Sequence, residues 1–475
     1  MAILLGLSPV GLTAVAFVAI LVYQLLQVGK RLKGLPPGPT TLPIVGNLHQ
    51  LPEEDVHLKF KESADQYGEM YSVMLGNQRM VVLNSPRVVK DLIDARSNNY
   101  SSRSDLYVSQ TLISGGYRLV LMQYDDGWRL ARKMIHSLLN IETAVQYIPY
   151  QELELRQMLA DMVRKPNAYQ DHVRRYSTSL ITSIAFGWRS LAFNDPDFAV
   201  ASQVSASMLD YLTILRHLPD FMNPSKRKWK ELHRAELALY KSYMLKVKER
   251  NEKGIKSKNF CDDMFKQQEK HGFTDDWASY RCRKRVSTSD GTYAARLTPS
   301  SPRRNRPGHW RRPSPHHGRR NVWALNDTER YPNPRTFDPD RYKDDFLRAQ
   351  ESATLNDPYQ RGHFTFGAGR RVCPGLNIAE RSLFLGIAYM LWAFTFEHAL
   401  DENGEKIPVS IEAVTQGIVC RPKPFPLKLV QRDPARIEVL KAWENAKDLL
   451  KTYPEGMRST QYVADWQQFT EDEKF

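Results

Sequence analysis

The sequence predicts a mainly α-helical fold with small β-sheets. Apolar residues recur at helical spacing, as at Leu155, Met158, Leu159, Met162 and Val163, and again at Leu180, Ile181, Ile184 and Ala185. The β-type runs, at residues 71–75 and 80–83, are short. Hydrophobic residues make up 42% of the 475. That is enough for a sizeable core, in one large domain or two to three smaller ones, and it excludes a wholly disordered chain.

Four cysteines (Cys261, Cys282, Cys373 and Cys420) are too few and too scattered for a disulfide framework. None forms a CxxC pair of the zinc-ribbon or thioredoxin kind. Neither GxGxxG nor GxxxxGK[ST] occurs, so the chain shows no nucleotide fingerprint of its own. The formal charge of +14 is not a property of the whole chain. Residues 281–320 hold 12 Lys+Arg and one Asp, a net of +11, which leaves +3 for the other 435 residues. A nearly balanced chain with one basic insert argues against a specific nucleic-acid partner.

The first element is an apolar run. Residues 1–29 carry no charged side chain, and the 24 residues 3–26 are mostly Leu, Val, Ala, Ile and Phe. About 20 helical residues cross a hydrocarbon core, so 1–29 reads as a transmembrane anchor. Lys30, Arg31 and Lys33 follow at once, which by the positive-inside rule keeps the body of a single-pass protein in the cytosol. The competing reading is a cleaved signal peptide, but the start lacks a basic n-region and the run is long for an h-region. Unpaired cysteines also fit a cytosolic body. Residues 30–40 form a basic, Pro-rich hinge. Its Leu35-Pro36-Pro37-Gly38-Pro39 is stiff and non-helical, because proline lacks an N–H and fixes φ.

Next, Gly76-Asn77 between the two β-type runs signals a hairpin. Ser85 is placed to cap a helix with Pro86 at its first position and Val89, Leu92 and Ile93 on one face. The stripe at 155–163 must end before Pro166. Residues 376–400 are very apolar, interrupted by Glu380 and Arg381. Their uncharged part, 382–396, is 15 residues, too short to span a membrane comfortably, and is predicted as a buried core helix. At the end, Ile437, Leu440, Trp443 and Leu450 put an apolar stripe on a terminal helix, ahead of a loose tail with Glu471, Asp472 and Glu473.

One cysteine stands in a chemically distinctive string, Phe366-Gly367-Ala368-Gly369-Arg370-Arg371-Val372-Cys373-Pro374-Gly375, directly before the apolar helix. The glycines let the backbone approach a flat ligand and turn its N–H groups inward. N–H groups near a helix N-terminus stabilise a thiolate. Arg371 offers a charge-assisted bond to a carboxylate. Together these describe a site for a metal macrocycle bearing acidic side groups. A buried cysteine beside a tight turn is the plainer alternative.

The string resembles the haem-binding signature of the cytochromes P-450, Phe-x-x-Gly-x-Arg-x-Cys-x-Gly, at all five fixed positions. The resemblance implies a P-450 fold with haem (iron protoporphyrin IX) as cofactor and Cys373 as axial ligand of the iron. It also implies that Arg371 pairs with a propionate, that Phe366 packs by the sulfur and limits solvent access, and that Gly369 and Gly375 complete the cofactor loop. Trp128-Arg129-Leu130-Ala131-Arg132 resembles the family's Trp-x-x-x-Arg. Its i, i+4 spacing puts Trp128 and Arg132 on one helical face, where both can donate to a propionate. A surface stack of Arg on Trp is the alternative there. Pro339-Asp340-Arg341-Tyr342 resembles the Pro-Glu-Arg-Phe segment with two conservative changes. Asn321-Val322-Trp323-Ala324 and Tyr331-Pro332-Asn333-Pro334 lead into it as in fungal members.

The resemblance covers 3–280 and 321–455. It divides the body into an N-terminal part at 41–280 and a haem-binding part at 321–435, followed by a C-terminal helix and tail at 436–475. It implies a microsomal, fungal-type monooxygenase of the endoplasmic reticulum membrane. Such an enzyme inserts one oxygen atom from O2 into a small organic substrate, by analogy in secondary metabolism. With no flavin or nicotinamide motif visible, electrons are expected from a separate NADPH-dependent P-450 reductase.

The family pattern fails in the middle. Neither the helix-I motif, Ala/Gly-Gly-x-Asp/Glu-Thr, nor the helix-K Glu-x-x-Arg pair occurs between Arg132 and Cys373 where it is required. Ser289-Asp290-Gly291-Thr292 has neither the order nor a helical context. Glu231-x-x-Arg234 lies too far upstream and Glu455-x-x-Arg458 lies after the cysteine. No acid/alcohol catalytic pair is therefore assigned. Residues 274–280 look like the capped start of helix I, and the pattern stops at Arg281. Residues 281–320 contain 11 Arg, one Lys and five Pro with almost no apolar periodicity, and are expected to be disordered.

An abrupt switch at both ends is what a shifted reading frame or an incorrect splice leaves behind. The expected consequences are a wetter haem pocket, a buried Arg341 without its charge partners, open sheet edges and weak or no haem retention. The second functional reading is thus a catalytically inactive, truncated or mis-spliced product of such a gene. The third is polyanion binding through 281–320. A zinc site from Cys282, His309, His316 and His317 lacks any known spacing.

Overall fold

The computed structural model describes residues 9–52, 56–187, 213–254, 259–287, 340–361, 364–410 and 422–441, with Arg189, Asp210, Asn333, Thr336, Asp338 and residues 413–415 between them. Helices of eight residues or more are numbered here in chain order. The apolar start forms α1 (Pro9–Gln27), with none of its 19 residues buried. At 1.5 Å per residue it is about 28 Å long, sufficient by length and composition to cross a membrane. The Pro-rich hinge behind it is pinned to the body. Ser72 donates through Oγ to Pro36 O at 2.7 Å and through its N–H to Pro37 O at 2.8 Å. Arg31 bridges the carbonyls of Gly38 and Ser72, each at 2.7 Å.

The hairpin forms as predicted. β1 (Met70–Leu75) and β2 (Gln78–Leu83) are antiparallel, with Leu75 opposite Gln78, and α2 (Val56–Tyr67) lies against β1. Gly76, at φ 61°, supplies the left-handed step of the turn. Ser85 caps the short helix Pro86–Val89, its Oγ accepting from the Val88 N–H at 3.2 Å.

The core is built on α3 (Asp126–Leu139), α4 (Ile148–Arg164) and α5 (Tyr169–Phe186). The predicted stripes at Leu155, Met158, Leu159 and Met162 and at Leu180, Ile181, Ile184 and Ala185 are buried. α4 stops at Arg164, just ahead of Pro166. Between α4 and α5, the buried Glu154 accepts from Arg175 at 2.8 Å and from Arg189 at 2.5 Å, and Arg175 also donates to Asp161 at 3.1 Å.

α6 (Pro224–Glu252), α7 (Phe260–His271) and α8 (Asp275–Ser287) pack against one another and against α5. Thr274 caps α8 as predicted, its Oγ1 accepting from the Trp277 N–H at 3.2 Å. The helix continues past Arg281 to Ser287, beyond the point where its sequence pattern stops. The rest of the Arg-rich segment, with His309, His316 and His317, lies outside the described residues, as do Pro339 and the strings at 289–292 and 321–324.

Two expectations for the downstream half are corrected. Residues 382–396, predicted as one buried helix, are not helical throughout. α9 (Leu376–Ala393) ends where the β-prone Phe394-Thr395-Phe396 begins β3 (Phe394–His398), antiparallel to β4 (Leu427–Gln431) with Phe396 opposite Leu429. α9 is also amphipathic in its burial. Leu376, Ile378, Leu383, Met390 and Ala393 face the core, whereas Phe384 is 54% and Trp392 38% exposed. On the buried side Gln151 of α4 donates to Ile378 O at 3.2 Å and to Ser382 Oγ at 2.7 Å. Arg341, in turn, is not a buried charge. It is partly exposed, and its Nη2 donates to the carbonyls of Asn333 and Thr336, each at 3.0 Å. α10 (Pro434–Lys441) starts the expected terminal helix, and Trp443, Leu450 and the acidic tail lie outside the described residues.

Candidate functional site

The cysteine string folds into a tight loop ahead of α9. Phe364–Phe366 and Gly369–Arg371 each form a single 3-10 turn. Gly369 sits at φ 60°, and a Cβ there would run into the backbone carbonyl of Ile93, so only glycine lets the loop lie this close to the turn at Lys90–Ala95. The Cys373 N–H donates to Phe366 O at 2.8 Å, and the Val372 N–H to Gly369 O at 3.1 Å. These closures bring the half-buried Phe366 and Cys373 side by side at the backbone.

Gly375 opens α9, its carbonyl accepting from the Ala379 N–H at 2.9 Å. A Cβ at Gly375 would stand 3.7 Å from Leu139 Cδ1 and 4.0 Å from Cys373 Sγ, so the glycine keeps space open beside the sulfur. Cys373 is half-buried and is not part of a disulfide. The N-terminal end of α9 lies directly beyond it.

α3 forms the second wall. Asp125 caps it, accepting from the Trp128 N–H at 2.7 Å. The predicted i, i+4 pair faces the cysteine loop. Trp128 is 4% exposed and carries the Arg371 guanidinium 4.1 Å above its ring centroid, and Arg132 donates to the Val372 carbonyl. Arg371 also donates to Ser101 O at 2.7 Å, Met122 O at 2.8 Å and Leu119 O at 3.5 Å. Trp128, Arg132, Arg371 and Cys373 thus meet along one seam.

The charge along this seam is one-sided. Burial pushes the Arg371 pKa down to about 10, and the neighbouring cations Arg103 and Arg132 add to that, partly offset by Asp125. Burial lowers Arg132 as well, against the pull of the negative charge on Cys373. Among the described residues, neither Arg132 nor Arg371 makes an ion pair with a carboxylate. A soft sulfur donor beside two partly buried guanidinium groups that form no ion pair with a carboxylate among the described residues fits a flat iron macrocycle carrying carboxylate arms. No group of three or more His, Cys, Asp or Glu able to hold a bare metal ion occurs among the described residues.

Two features of the seam are absent from the sequence reading. Arg103 joins the cationic cluster, its Nε donating to Val120 O at 3.1 Å. Arg370 pins the loop from outside, donating to Ser97 Oγ at 3.0 Å and to the Tyr124 hydroxyl. That hydrogen bond from Arg370 leads the causes that lower the Tyr124 pKa. Both contacts join residues distant in sequence, so no local spacing announces them.

The chain thus combines a mainly helical body with a cysteine loop set against a Trp/Arg helix. Residues 36–281 and 321–429 match the family described as Cytochrome P450. The chain is 35% identical to the cytochrome P450 monooxygenase fogE of Aspergillus ruber, over 95% of this chain and 98% of that protein. It is 34% identical to virE of Hypocrea virens, over 93% and 94%, and 32% identical to fsoB of Humicola fuscoatra, over 94% and 98%, both also named cytochrome P450 monooxygenases. The chain belongs to the cytochrome P450 family, oxidoreductases whose cofactor is haem iron and which act on organic substrates with a redox partner. The family match breaks at 281 and resumes at 321, bracketing the basic segment. The alignment with the fogE protein runs to 530 positions against a chain of 475, so that relative carries stretches absent here.

Proposed function

We propose that Cys373 is the axial thiolate of a bound haem, and that the fold is that of a membrane-anchored monooxygenase placing one oxygen atom from O2 into a small organic substrate. Electrons come from an NADPH-dependent P-450 reductase at the endoplasmic reticulum membrane, where α1 anchors a cytosolic body. The observation that carries this reading is the seam itself, with Cys373, Arg371, Arg132 and Trp128 converging from two elements.

When bound, the haem supplies oxygen activation, with thiolate electron push favouring O–O cleavage. The chain's residues do the holding. The α9 N-terminus keeps the Cys373 sulfur anionic. Arg371 and Arg132 take the propionates, and the Trp128 ring fixes the plane of the Arg371 guanidinium. Phe366 keeps water from the sulfur. Gly369 and Gly375 let the loop lie flat and leave room beside it.

A second reading is favoured by the break in the family match and by the alignment longer than the chain. In it, this chain is a catalytically inactive, truncated or mis-spliced product lacking the acid/alcohol pair expected of the family. The test compares this chain with a version in which the missing segment is restored from the transcript across residues 278–322. The restored protein is expected to show the reduced, CO-bound thiolate Soret band and to oxidise test substrates. This chain is expected to show little or none of either. A strong thiolate band from this chain would refute the truncated reading. The same band persisting after Cys373→Ser in the restored protein would refute the ligand assignment.

A further inference from the structure

Away from the cysteine seam, a buried polar cluster joins α6, α8 and the loop that precedes α3. Glu236 of α6 is 1% exposed. Its Oε1 accepts from Arg118 Nη2 at 2.8 Å and from the Tyr240 hydroxyl, and its Oε2 accepts from the Tyr280 hydroxyl of α8 at 3.1 Å. The same Tyr280 oxygen lies 3.2 Å from Ile113 O and 3.1 Å from His233 Nδ1, and that nitrogen is 2.9 Å from Ile113 O. The loop is pressed against α6. A Cβ on Gly115, whose φ is +57°, would come within 2.8 Å of His233 Cε1.

The loop held in this way runs directly into the carbonyls that hold Arg371. Arg118 offers its side chain to Glu236 and its own carbonyl to the N–H groups of Leu121 at 2.9 Å and Met122 at 3.1 Å. The next acceptors along this turn, Leu119 O and Met122 O, take Arg371. One short hydrogen-bonded turn therefore connects a carboxylate between two distal helices to the arginine of the cysteine loop. A buried ion pair is a costly way to gain stability, because both charges must be stripped of water. What it does supply is a defined geometry.

We propose that Glu236 is a positioning residue: through Arg118 it sets the 113–122 loop so that the Leu119 and Met122 carbonyls meet Arg371, coupling α6 and α8 to the cysteine loop. The coupling stands whatever Arg371 binds. Its bearing on the grip on a cofactor's acidic arms rests on the function proposed above.

The test is hydrogen exchange by mass spectrometry on the full chain in detergent micelles. It compares Glu236→Gln, Tyr280→Phe and, as a stability control, Asp161→Asn in the separate Glu154 network. Glu236→Gln is expected to speed exchange by about tenfold at peptides covering both 119–124 and 369–373, leaving α4 and α5 unchanged. Asp161→Asn is expected to speed exchange in α4 and α5 but not at 369–373. Deprotection in Glu236→Gln that stops at residue 118, or an equal effect of Asp161→Asn at 369–373, overturns the proposal. Should Glu236→Gln fail to fold, Tyr280→Phe removes a single hydroxyl and is expected to give the same pattern at roughly two- to threefold. An unchanged 369–373 in that variant is equally fatal.

Discussion

Gly369 shows how much of the site depends on a single missing side chain. Its φ of 60° and the Ile93 carbonyl on its Cβ side leave no strain-free place for a methyl group. Gly369→Ala is expected to destabilise the folded chain by on the order of 2 kcal/mol, read as a lower melting temperature. A variant melting like the parent would mean the loop does not sit on the Lys90–Ala95 turn. Asp125 plays a quieter part, since it caps α3 and partly offsets the positive field on Arg371. Asp125→Ala is expected to cost about 1 kcal/mol in chemical unfolding through the lost cap. The residues legible from sequence, Phe366, Gly369, Arg371, Cys373 and Gly375 together with Trp128 and Arg132, are those whose spacing is local and chemically specific. Arg103, Tyr124 and Ser97 were not legible, because they reach the loop only through tertiary contacts.

Among the elements, α4 and α5 hold a buried charge cluster of Glu154, Asp161 and Arg175, joined by Arg189 just beyond α5. Burial alone would push the Glu154 carboxyl up, but Arg189 and Arg175 more than offset this and leave its pKa below the ordinary 4.5. A lowered folded-state pKa means that the unfolded chain binds the proton first. The stabilisation is therefore present above about pH 4.5 and is lost as the pH falls below that. Arg175→Gln removes one of the two cations and is expected to cost about 3–5 kcal/mol at neutral pH, with a weaker acid-induced loss, in urea titrations at several pH values. An unchanged pH profile would show that Arg175 does not hold the Glu154 charge. The stripes of α4 and α5 were readable in advance because their apolar residues recur at helical spacing, although residues 175–186 of α5 are buried on every side. The helix/strand junction at Ala393 was not, because an apolar run reads alike in a helix and in a buried strand.

At the scale of the whole molecule, an apolar N-terminal helix and a hinge pinned to the body precede a P450-family body whose family match is interrupted by a basic segment. Deleting residues 1–29 is expected to move the protein from an alkali-resistant membrane fraction into a washable or soluble one, and continued resistance would remove α1 as the anchor. The central claim is that the Cys373 sulfur ligates haem iron in a P-450 body. The reduced, CO-bound absorption spectrum of the segment-restored protein, with and without Cys373→Ser, tests it most directly. A thiolate Soret band is expected in the restored protein and is expected to disappear in the serine variant. A band unaffected by that substitution would contradict it.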